Sequence, residues 1–362
     1  MRERQPADLL LFAAVVVLLA LGVAMVFSAS SVKALVEYGD SLHFLKRQLL
    51  WAALGLGIMF FTVEVDYRAY RRLAWPALLL SLVLLLLVAL TGPRIRGTKG
   101  WLELGFFNLQ PVEVAKLALT TFLASYLDRR QKAIRSFWPG VAVPLMWVGL
   151  VVALVMLQPD FGSAMVIVGV AFLQLFAVGA RLQHLVLVGL AGLPAVAALA
   201  VLEPYRLRRL AAFLNPWADP RGSGYQTIQS LLALGSGGLS GLGLGQSRQK
   251  FAYLPENHTD FIFAILGEEL GLLGTTLVLL LFFIFLWRGL RIALLAPDFF
   301  GSALAVGITV MIAFQALMNI AIISGALPIT GITLPFISYG GSSLAISLAG
   351  IGILLNISKQ AT

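Results

Sequence analysis

The chain has no cysteine and only three histidines among its 362 residues. The absence of cysteine excludes disulfides, iron–sulfur clusters, thiolate zinc sites and cysteine nucleophiles. His43, His184 and His258 are too few for a histidine-rich metal site. Charged residues make up only 12% of the chain, whereas a soluble domain carries about a quarter. Because 59% of the residues are hydrophobic, this composition predicts an integral membrane protein.

Long apolar runs predict an all-α polytopic membrane protein. Ten runs each approach the ~20 apolar residues that a helix needs to cross the hydrocarbon core. They lie at 9–28, 47–64, 74–91, 112–127, 139–157, 161–179, 183–202, 261–287, 301–324 and 338–357. An even number of spans places both ends of the chain on one side. The prediction is one membrane domain, 1–362, with a large extracellular loop, 203–260, between helices 7 and 8.

The net charge of +9 fits a membrane protein that contacts anionic lipid head groups, and nucleic acid is not an expected partner. When the long 203–260 loop is set aside, the terminal side carries about twice as many Lys and Arg as the other side. Both termini are therefore predicted to be cytoplasmic. The loops 91–111, 203–260 and 324–338 are then external, and function is expected there because it concentrates in long loops on rigid scaffolds.

Asp260 directly precedes the apolar run that begins at Phe261. A carboxylate at this position can cap a helix by accepting a hydrogen bond from a backbone N–H. The helix dipole also keeps such a carboxylate ionised. If it faces water, the same carboxylate can act as a general base on a hydroxyl within hydrogen-bond reach. The two roles are compatible, and the sequence leaves both open.

Three further charged residues fall within or beside predicted spans. Glu113 and Lys116 are three residues apart and share one face of the fourth span. They form either an ion pair near the membrane surface, with Lys116 snorkelling, or a charged wall of a cavity between helices. The second interpretation is favoured because intramembrane charges usually face an interior. Asp160, in the short turn 158–162, fits a cap of the sixth helix and a site residue equally well.

The 203–260 loop is rich in basic residues and glycine. Its basic residues include Arg208, Arg209, Arg221, Arg248 and Lys250. They form either a solvated rim or a clamp for an anionic group such as a diphosphate. The glycine-rich run 236–245 lacks the Lys-Ser/Thr of a nucleotide-binding P-loop. It predicts a flexible or re-entrant segment.

The apolar segment 327–343 is interrupted by Pro and Gly. Irregular backbone at membrane depth is tolerated only where protein covers it or where it lines a cavity. This segment is therefore expected to line the same external cavity as Asp260. Ser338 and Tyr339 would then offer hydroxyl groups to that cavity.

Three motifs resemble those of the SEDS family of shape, elongation, division and sporulation proteins (the FtsW/RodA/SpoVE group). They are Gln158–Gly162, Leu254–Phe261 and Leu334–Ser343. The motifs occur in the family's order on a ten-span frame, and the resemblance covers essentially the whole chain. The runs 213–220, 224–226 and 241–250 are more similar to the division members, whereas Phe106-Phe107 and Ile329-Thr330 are more similar to the elongation members, which stay the second alternative.

Two positions depart from the family pattern. Gly100 stands where the family usually has Arg, and Val112 stands where it usually has Ser. These departures weaken any transfer of an essential Arg or Ser to the 91–111 loop. They leave Glu113, Lys116 and Asp260 in place.

The resemblance implies a peptidoglycan glycosyltransferase acting at the outer face of the bacterial cytoplasmic membrane, in cell division or cell shape. Its substrate would be lipid II, a disaccharide-pentapeptide on undecaprenyl diphosphate, polymerised with inversion into β-1,4 glycan strands. Asp260 matches the family's catalytic residue and would take the proton from the acceptor 4-hydroxyl. A class B penicillin-binding protein with transpeptidase activity is the implied partner.

The resemblance also directs attention to the groups around the reaction. Lys116, Arg248 and Lys250, or a divalent cation such as Mg²⁺ or Mn²⁺, would balance the diphosphate charge. No organic cofactor is expected. Glu256 and His258 lie in the same motif as Asp260 and are further candidates for the substrate cavity, together with Asp160.

Two other functions remain as alternatives. A lipid II flippase would need ionisable residues that are accessible from both faces of the membrane, whereas the unusual segments here gather on one face. A non-catalytic divisome scaffold would use Asp260 only as a helix cap, which Asn or Ser would replace at little cost.

Overall fold

A computed structural model describes residues 6–93, 99–103, 105, 108–201, 204–251 and 253–361, and most of these residues are helical. The helices are α1 (Leu9–Tyr38), α2 (His43–Glu64), α3 (Arg68–Thr91), α4 (Pro111–Asp128), α5 (Val143–Met156), α6 (Phe161–Ala177), α7 (Leu182–Val201), α8 (Pro204–Leu214), α9 (Tyr225–Ser236), α10 (Ile262–Leu295), α11 (Phe299–Ile323) and α12 (Gly341–Gln360). All but α8 and α9 fall on the predicted spans. The predicted all-α polytopic membrane fold is therefore confirmed.

The helices differ from the predicted spans in length. Within the described residues, seven helical segments are long and apolar enough to cross a membrane. One of them consists of α5 and the helical turn Trp138–Ala142 directly before it. Helix α6 and Leu182–Pro194 of α7 are shorter apolar helices. The number that crosses stays a prediction. Helix α1 continues to Tyr38 rather than residue 28, and α10 continues to Leu295 rather than residue 287. An apolar run indicates only the part of a helix that lies in the hydrocarbon core. The helix itself can continue into the head groups and water, because its backbone hydrogen bonds do not depend on apolar side chains.

Helices α11 and α12 form the centre of the bundle. Helix α12 packs against α2, and α11 packs against α4, α6 and α10. Small residues permit this close packing of helix backbones. A side chain at Gly352 would collide with Thr62 and the Met59 carbonyl. The outer helices instead expose large apolar side chains such as Phe61 and Leu80, which is expected where lipid replaces water as the solvent.

The two ends of the described chain lie at the same face of the bundle. The Asp8 carboxylate pairs with Arg288 at 2.6 Å. The Asp8 backbone N–H donates to the Ser358 hydroxyl, at 3.1 Å. These contacts agree with an even number of crossings, and the side on which the ends lie stays a prediction.

The 91–111 loop carries the two short strands found within the described residues. Strands β1 (Leu102–Glu103) and β2 (Asn108–Leu109) pair antiparallel. The pair sits next to the start of α12, because Ser342 donates to the Asn108 carbonyl at 3.0 Å. Residues 94–98, 104, 106 and 107 of this predicted external loop lie outside the described residues.

The 203–260 loop is largely folded. It contains α8 and α9, and its glycine-rich run packs against a break in α10 at Gly271, where φ is 65° and ψ is −159°. The backbone N–H groups of Leu242 and Gly243 donate to the carbonyls of Glu268 and Glu269, at 3.0 Å in each case. Those of Leu272 and Leu273 donate to carbonyls of the run. The run, which was predicted to be flexible or re-entrant, is thus hydrogen-bonded to α10, and these bonds satisfy backbone groups that the break leaves unpaired within the helix.

Gly241→Ala is expected to destabilise the protein by about 3 kcal/mol or more. Gly241 has a φ of +79°, and an added Cβ would collide with the Glu269 carbonyl. Thermal unfolding in detergent measures the effect. Gly57→Ala is the matched control, because Gly57 lies within α2 with open space around it. Equal unfolding temperatures for the two variants would contradict the close packing of the run against α10.

Candidate active site

Asp260 lies in a tight turn directly before α10. The helix begins at Ile262 with Phe261 as its N-cap residue. The N–H groups of Thr259 and Phe261 both donate to the Glu256 carbonyl at 3.2 Å. Glu256 has a φ of 56°, a left-handed conformation that costs about 1–3 kcal/mol for a residue other than glycine. This turn holds Asp260 half-buried at the mouth of the helix.

Asp260 is not the N-cap residue of α10, because Phe261 takes that position. The Asp260 carbonyl is fixed by a 2.9 Å hydrogen bond from the Asn319 side chain of α11. The backbone is thus anchored independently of the carboxylate. The general-base role of the carboxylate stays a prediction.

The segment 327–340, which is part of the 327–343 segment singled out in the sequence, lies against the Asp260 turn; that it lines a cavity with Asp260 stays a prediction. Asn319 also donates to the Ile332 carbonyl at 2.6 Å, so one side chain holds both Asp260 and this segment. An ideal Cβ on Gly331 would lie 3.5 Å from the Asp260 Oδ2 atom. Gly331 has a φ of 80°, which favours glycine. Glycine at this position therefore lets the backbone of the segment approach the carboxylate closely.

Ser338 and Tyr339 connect the same segment to the Asp260 turn. The Ser338 hydroxyl donates to the Thr259 carbonyl at 2.6 Å and accepts from the Leu334 N–H at 2.8 Å. The Tyr339 N–H donates to the His258 carbonyl at 3.0 Å. The structure therefore shows a positioning contact for the Ser338 hydroxyl, and its contact with substrate stays a prediction.

An aromatic cluster backs the Asp260 turn. The buried His258 ring lies 4.7 Å from the Phe44 ring and 5.8 Å from the Tyr339 ring. Its Nδ1 atom lies 3.1 Å from the Asn257 Oδ1 atom. The Tyr339 ring also meets the Phe44 ring edge to face, at 5.2 Å. These rings pack together next to the Asp260 turn. Contacts of His258 and Tyr339 with substrate stay predictions.

Glu113 and Lys116 form a buried ion pair; that the pair forms a wall of a cavity between helices stays a prediction. Lys116 Nζ lies 2.9 Å from Glu113 and 2.5 Å from the side-chain carbonyl oxygen of Gln315 on α11. The Gln315 amide donates to the Thr333 carbonyl at 3.0 Å. The pair thereby supports the segment that faces Asp260, two residues beyond Gly331.

Asp160 caps α6 and also lies near this pair. Its carboxylate accepts from the Ser163 N–H at 2.9 Å and from the Ser163 hydroxyl at 2.7 Å. It is within electrostatic range of Lys116 and Glu113. The capping role is thus present, and a role in substrate binding stays a prediction.

Lys250 and Arg248 lie against the break in α10. Lys250 is buried, pairs with Glu269 at 3.3 Å and donates to the Gly245 carbonyl. Glu268 accepts from the Arg248 backbone N–H at 3.0 Å and from the Ser247 hydroxyl. The Lys250 charge is therefore already neutralised inside the protein. A diphosphate role for Lys250 and Arg248 stays a prediction, and this geometry does not favour it for Lys250.

Several important residues of the site were not predicted from the sequence. Gln315 and Asn319 are four residues apart on one face of α11, and both are buried. They hold the segment opposite Asp260. Buried polar residues in an otherwise apolar helix are unusual, and this signal was available in the sequence.

Comparison with known proteins places the chain in a family. The model of the cell cycle protein family FtsW/RodA/SpoVE matches residues 8–362. The chain belongs to the FtsW/RodA/SpoVE family. Stage V sporulation protein E of Bacillus subtilis (strain 168) is 51% identical over 99% of this chain and 98% of its own length. The probable peptidoglycan glycosyltransferase FtsW of Geobacter sp. (strain M18) is 43% identical over 99% of each chain.

Solved structures of this family share the fold. One is described as "Structural coordination of polymerization and crosslinking by a peptidoglycan synthase complex"; its matching chain is 34% identical, with a TM-score of 0.82 over 98% of both chains. Thermus thermophilus rod shape determining protein RodA is 31% identical, with a TM-score of 0.72 over 98% of this chain and 97% of that one. The family predicted from the three motifs is confirmed. The similarity includes both FtsW relatives and a sporulation relative.

Proposed function

We propose that this chain is a peptidoglycan glycosyltransferase that polymerises lipid II, with Asp260 as its general base. The observation that carries the proposal is the placement of Asp260. Its backbone is fixed by Asn319, it stands outside the N-cap position of α10, and it faces the bare backbone of Gly331. An ionisable group kept at the mouth of a membrane helix is expected to be functional.

The comparisons support the same reaction. The FtsW relatives are named probable peptidoglycan glycosyltransferases, and the complex with the matching fold couples polymerisation to crosslinking. We infer that this chain works with a crosslinking partner, a class B penicillin-binding protein. The reaction would occur at the outer face of the bacterial cytoplasmic membrane, with both termini of the chain in the cytoplasm.

The proposed chemistry is an inverting glycosyl transfer. The Asp260 carboxylate accepts the proton of the acceptor 4-hydroxyl as its oxygen attacks the donor anomeric carbon. A new C–O bond forms on one face of the sugar, and the bond to undecaprenyl diphosphate breaks on the other face. The products are a β-1,4 link and undecaprenyl diphosphate, with the proton on Asp260. A positioned base of this kind contributes about 10²–10⁴-fold to a rate.

A metal site is considered only for the side chains that the structure describes. Among the described residues, no group of three or more His, Asp or Glu is placed to hold a metal ion. Mg²⁺ in phosphoryl sites is usually held by one or two carboxylates together with the substrate phosphates. The Mg²⁺ or Mn²⁺ considered from the sequence therefore stays a prediction, and the proposed chemistry does not depend on it.

Polymerisation of purified lipid II tests the proposal. The full-length protein, in complex with its class B partner and with and without Mg²⁺ or Mn²⁺, is incubated with labelled lipid II, and glycan chains are separated by gel electrophoresis. Long chains that a muramidase digests are the expected result. A well-folded complex that binds lipid II but forms no polymer would overturn the proposal.

Experiments with the same complex distinguish the flippase and the scaffold alternatives from a glycosyltransferase. A flippase in proteoliposomes would move labelled lipid II between leaflets without forming polymer. A scaffold would do neither, but it would still stimulate its partner's transpeptidase. The buried, neutralised Glu113–Lys116 pair gives no support to a route for a charged head group through the bundle.

A further inference from the structure

A large basic cavity lies between the 203–260 loop and the segment opposite Asp260. Its volume is about 560 Å³, within the range of about 300–1,000 Å³ that is typical of ligand sites. Three arginines, Arg208, Arg209 and Arg221, line it together with Asp219 and Ile329. Neither Arg248 nor Lys250 is among its lining residues.

The cavity is connected directly to the Asp260 wall. Arg209 donates from its guanidinium to the Ile329 carbonyl at 2.8 Å. Ile329 is two residues before Gly331, whose backbone faces the Asp260 carboxylate. Two residues of extended chain span at most about 7 Å. The cavity and the Asp260 carboxylate are therefore linked by one short segment of the chain.

The charges in the cavity favour an anion with several oxygens. The three arginines line the cavity together with one acidic side chain, that of Asp219. The Ser223 N–H and hydroxyl donate to that carboxylate at 2.8 and 3.0 Å. These bonds hold the pKa of Asp219 below its ordinary value, so Ser223 stabilises the negative charge of this carboxylate. Guanidinium groups bind phosphate oxygens in pairs, which suits a diphosphate better than a single carboxylate.

Helix α8 places this cavity at the membrane surface. Its Leu207, Leu210 and Leu214 are exposed and are three and four residues apart, so they share one face. A helix with exposed leucines on one face and arginines elsewhere lies in the interface between head groups and acyl chains. That is the depth at which the diphosphate of a polyprenyl lipid lies.

We propose that Arg208, Arg209 and Arg221 bind the diphosphate of the lipid-linked donor, the group that leaves when the new glycosidic bond forms. This inference rests on the proposed function and assigns the donor side of its reaction. The acceptor then approaches from the Asp260 side, so base and leaving group lie on opposite faces of the donor sugar, as inversion requires. The sequence could not choose among the basic residues of the loop, whereas the cavity selects these three.

Binding of undecaprenyl diphosphate tests the site without any turnover. The full chain with its partner is placed in nanodiscs of constant phosphatidylglycerol content, and labelled undecaprenyl diphosphate is titrated against it. The double variant Arg208→Gln/Arg221→Gln is expected to weaken the affinity by about tenfold or more, because removing a single charge-assisted hydrogen bond already costs about that factor. Both arginines are exposed, so the variant should fold.

The control is Arg135→Gln, an exposed arginine in the segment that links α4 to α5, at the opposite face. It should change the affinity by less than about twofold. Unlabelled inorganic diphosphate should compete with the probe in the wild type and fail to compete in the double variant. An unchanged affinity in the double variant would overturn the inference, and so would equal competition by soluble phosphatidylglycerol.

The outcome also distinguishes this inference from the proposed function. Polymerisation of lipid II by the wild type, with diphosphate affinity unaffected by the arginine substitutions, would overturn the site and leave the glycosyltransferase standing. Arginine-dependent diphosphate binding without any polymerisation would support the site and overturn the glycosyltransferase.

Discussion

Asp260→Asn is expected to reduce the rate of lipid II polymerisation by about 10²–10⁴-fold, because asparagine cannot accept the proton of the acceptor hydroxyl. Asparagine has nearly the same size and caps helices as well as aspartate does. The backbone contacts that hold the turn, from Asn319 and Ser338, do not involve the Asp260 carboxylate. The variant should therefore fold and still bind its partner. Initial rates of glycan formation and the temperature of thermal unfolding are measured together.

The matched control is Asp40→Asn. Asp40 is an exposed carboxylate in the connection between α1 and α2, paired with Lys46 at 2.7 Å. Its removal should change both the rate and the unfolding temperature only slightly, because exposed ion pairs are worth about 0–1 kcal/mol. Normal polymerisation by a folded Asp260→Asn protein would reject the general-base role and revive the scaffold alternative.

Lys116→Met is expected to destabilise the protein by about 3–5 kcal/mol, because it leaves the Glu113 carboxylate buried without its partner. The two side chains are only 5% and 8% exposed, so water cannot compensate. The substitution also removes the contact to Gln315, which holds Thr333 opposite the Asp260 turn. Polymerisation should fall along with the unfolding temperature in detergent.

The double variant Glu113→Gln/Lys116→Met separates charge from packing. It removes the uncompensated charge and should recover much of the stability that Lys116→Met removes. The single variant Glu113→Gln completes a double-mutant cycle, which measures the coupling energy between the two side chains. If Lys116→Met and the double variant unfold at the same temperature, the two side chains are not coupled and the ion pair is not what stabilises this wall.

The helical frame could be predicted because lipid imposes a simple rule on the sequence. A backbone in hydrocarbon must satisfy its own hydrogen bonds, so apolar runs of sufficient length become helices. The order of α1 to α7 and α10 to α12 follows from this rule alone. The break at Gly271 does not, because it lies inside an apolar run and is stabilised by hydrogen bonds from a glycine-rich segment some 30 residues earlier.

Site residues could be predicted where a charged side chain is energetically unfavourable at its depth in the membrane. They could not be predicted where the role of a residue depends on a partner far away in the chain. Asp260, Glu113 and Lys116 could be selected from the sequence because charges at membrane depth need a reason. The sequence left the role of Lys250 open, and the structure shows that Glu269 neutralises it inside the bundle. The importance of Asn319 depends on two carbonyls, one of them at Asp260, 59 residues away in the chain.

The sequence by itself determined the membrane class, the succession of helices, the family motifs and the position of Asp260, since each is written in local composition or in a short run of residues. Only the tertiary structure decided how the basic residues of the 203–260 loop are placed. Arg208, Arg209 and Arg221 share a cavity beside the Asp260 wall, whereas Lys250 is buried against an acidic partner. Burial and the geometry of approach arise from packing between helices that are far apart in the chain, and no local pattern encodes them.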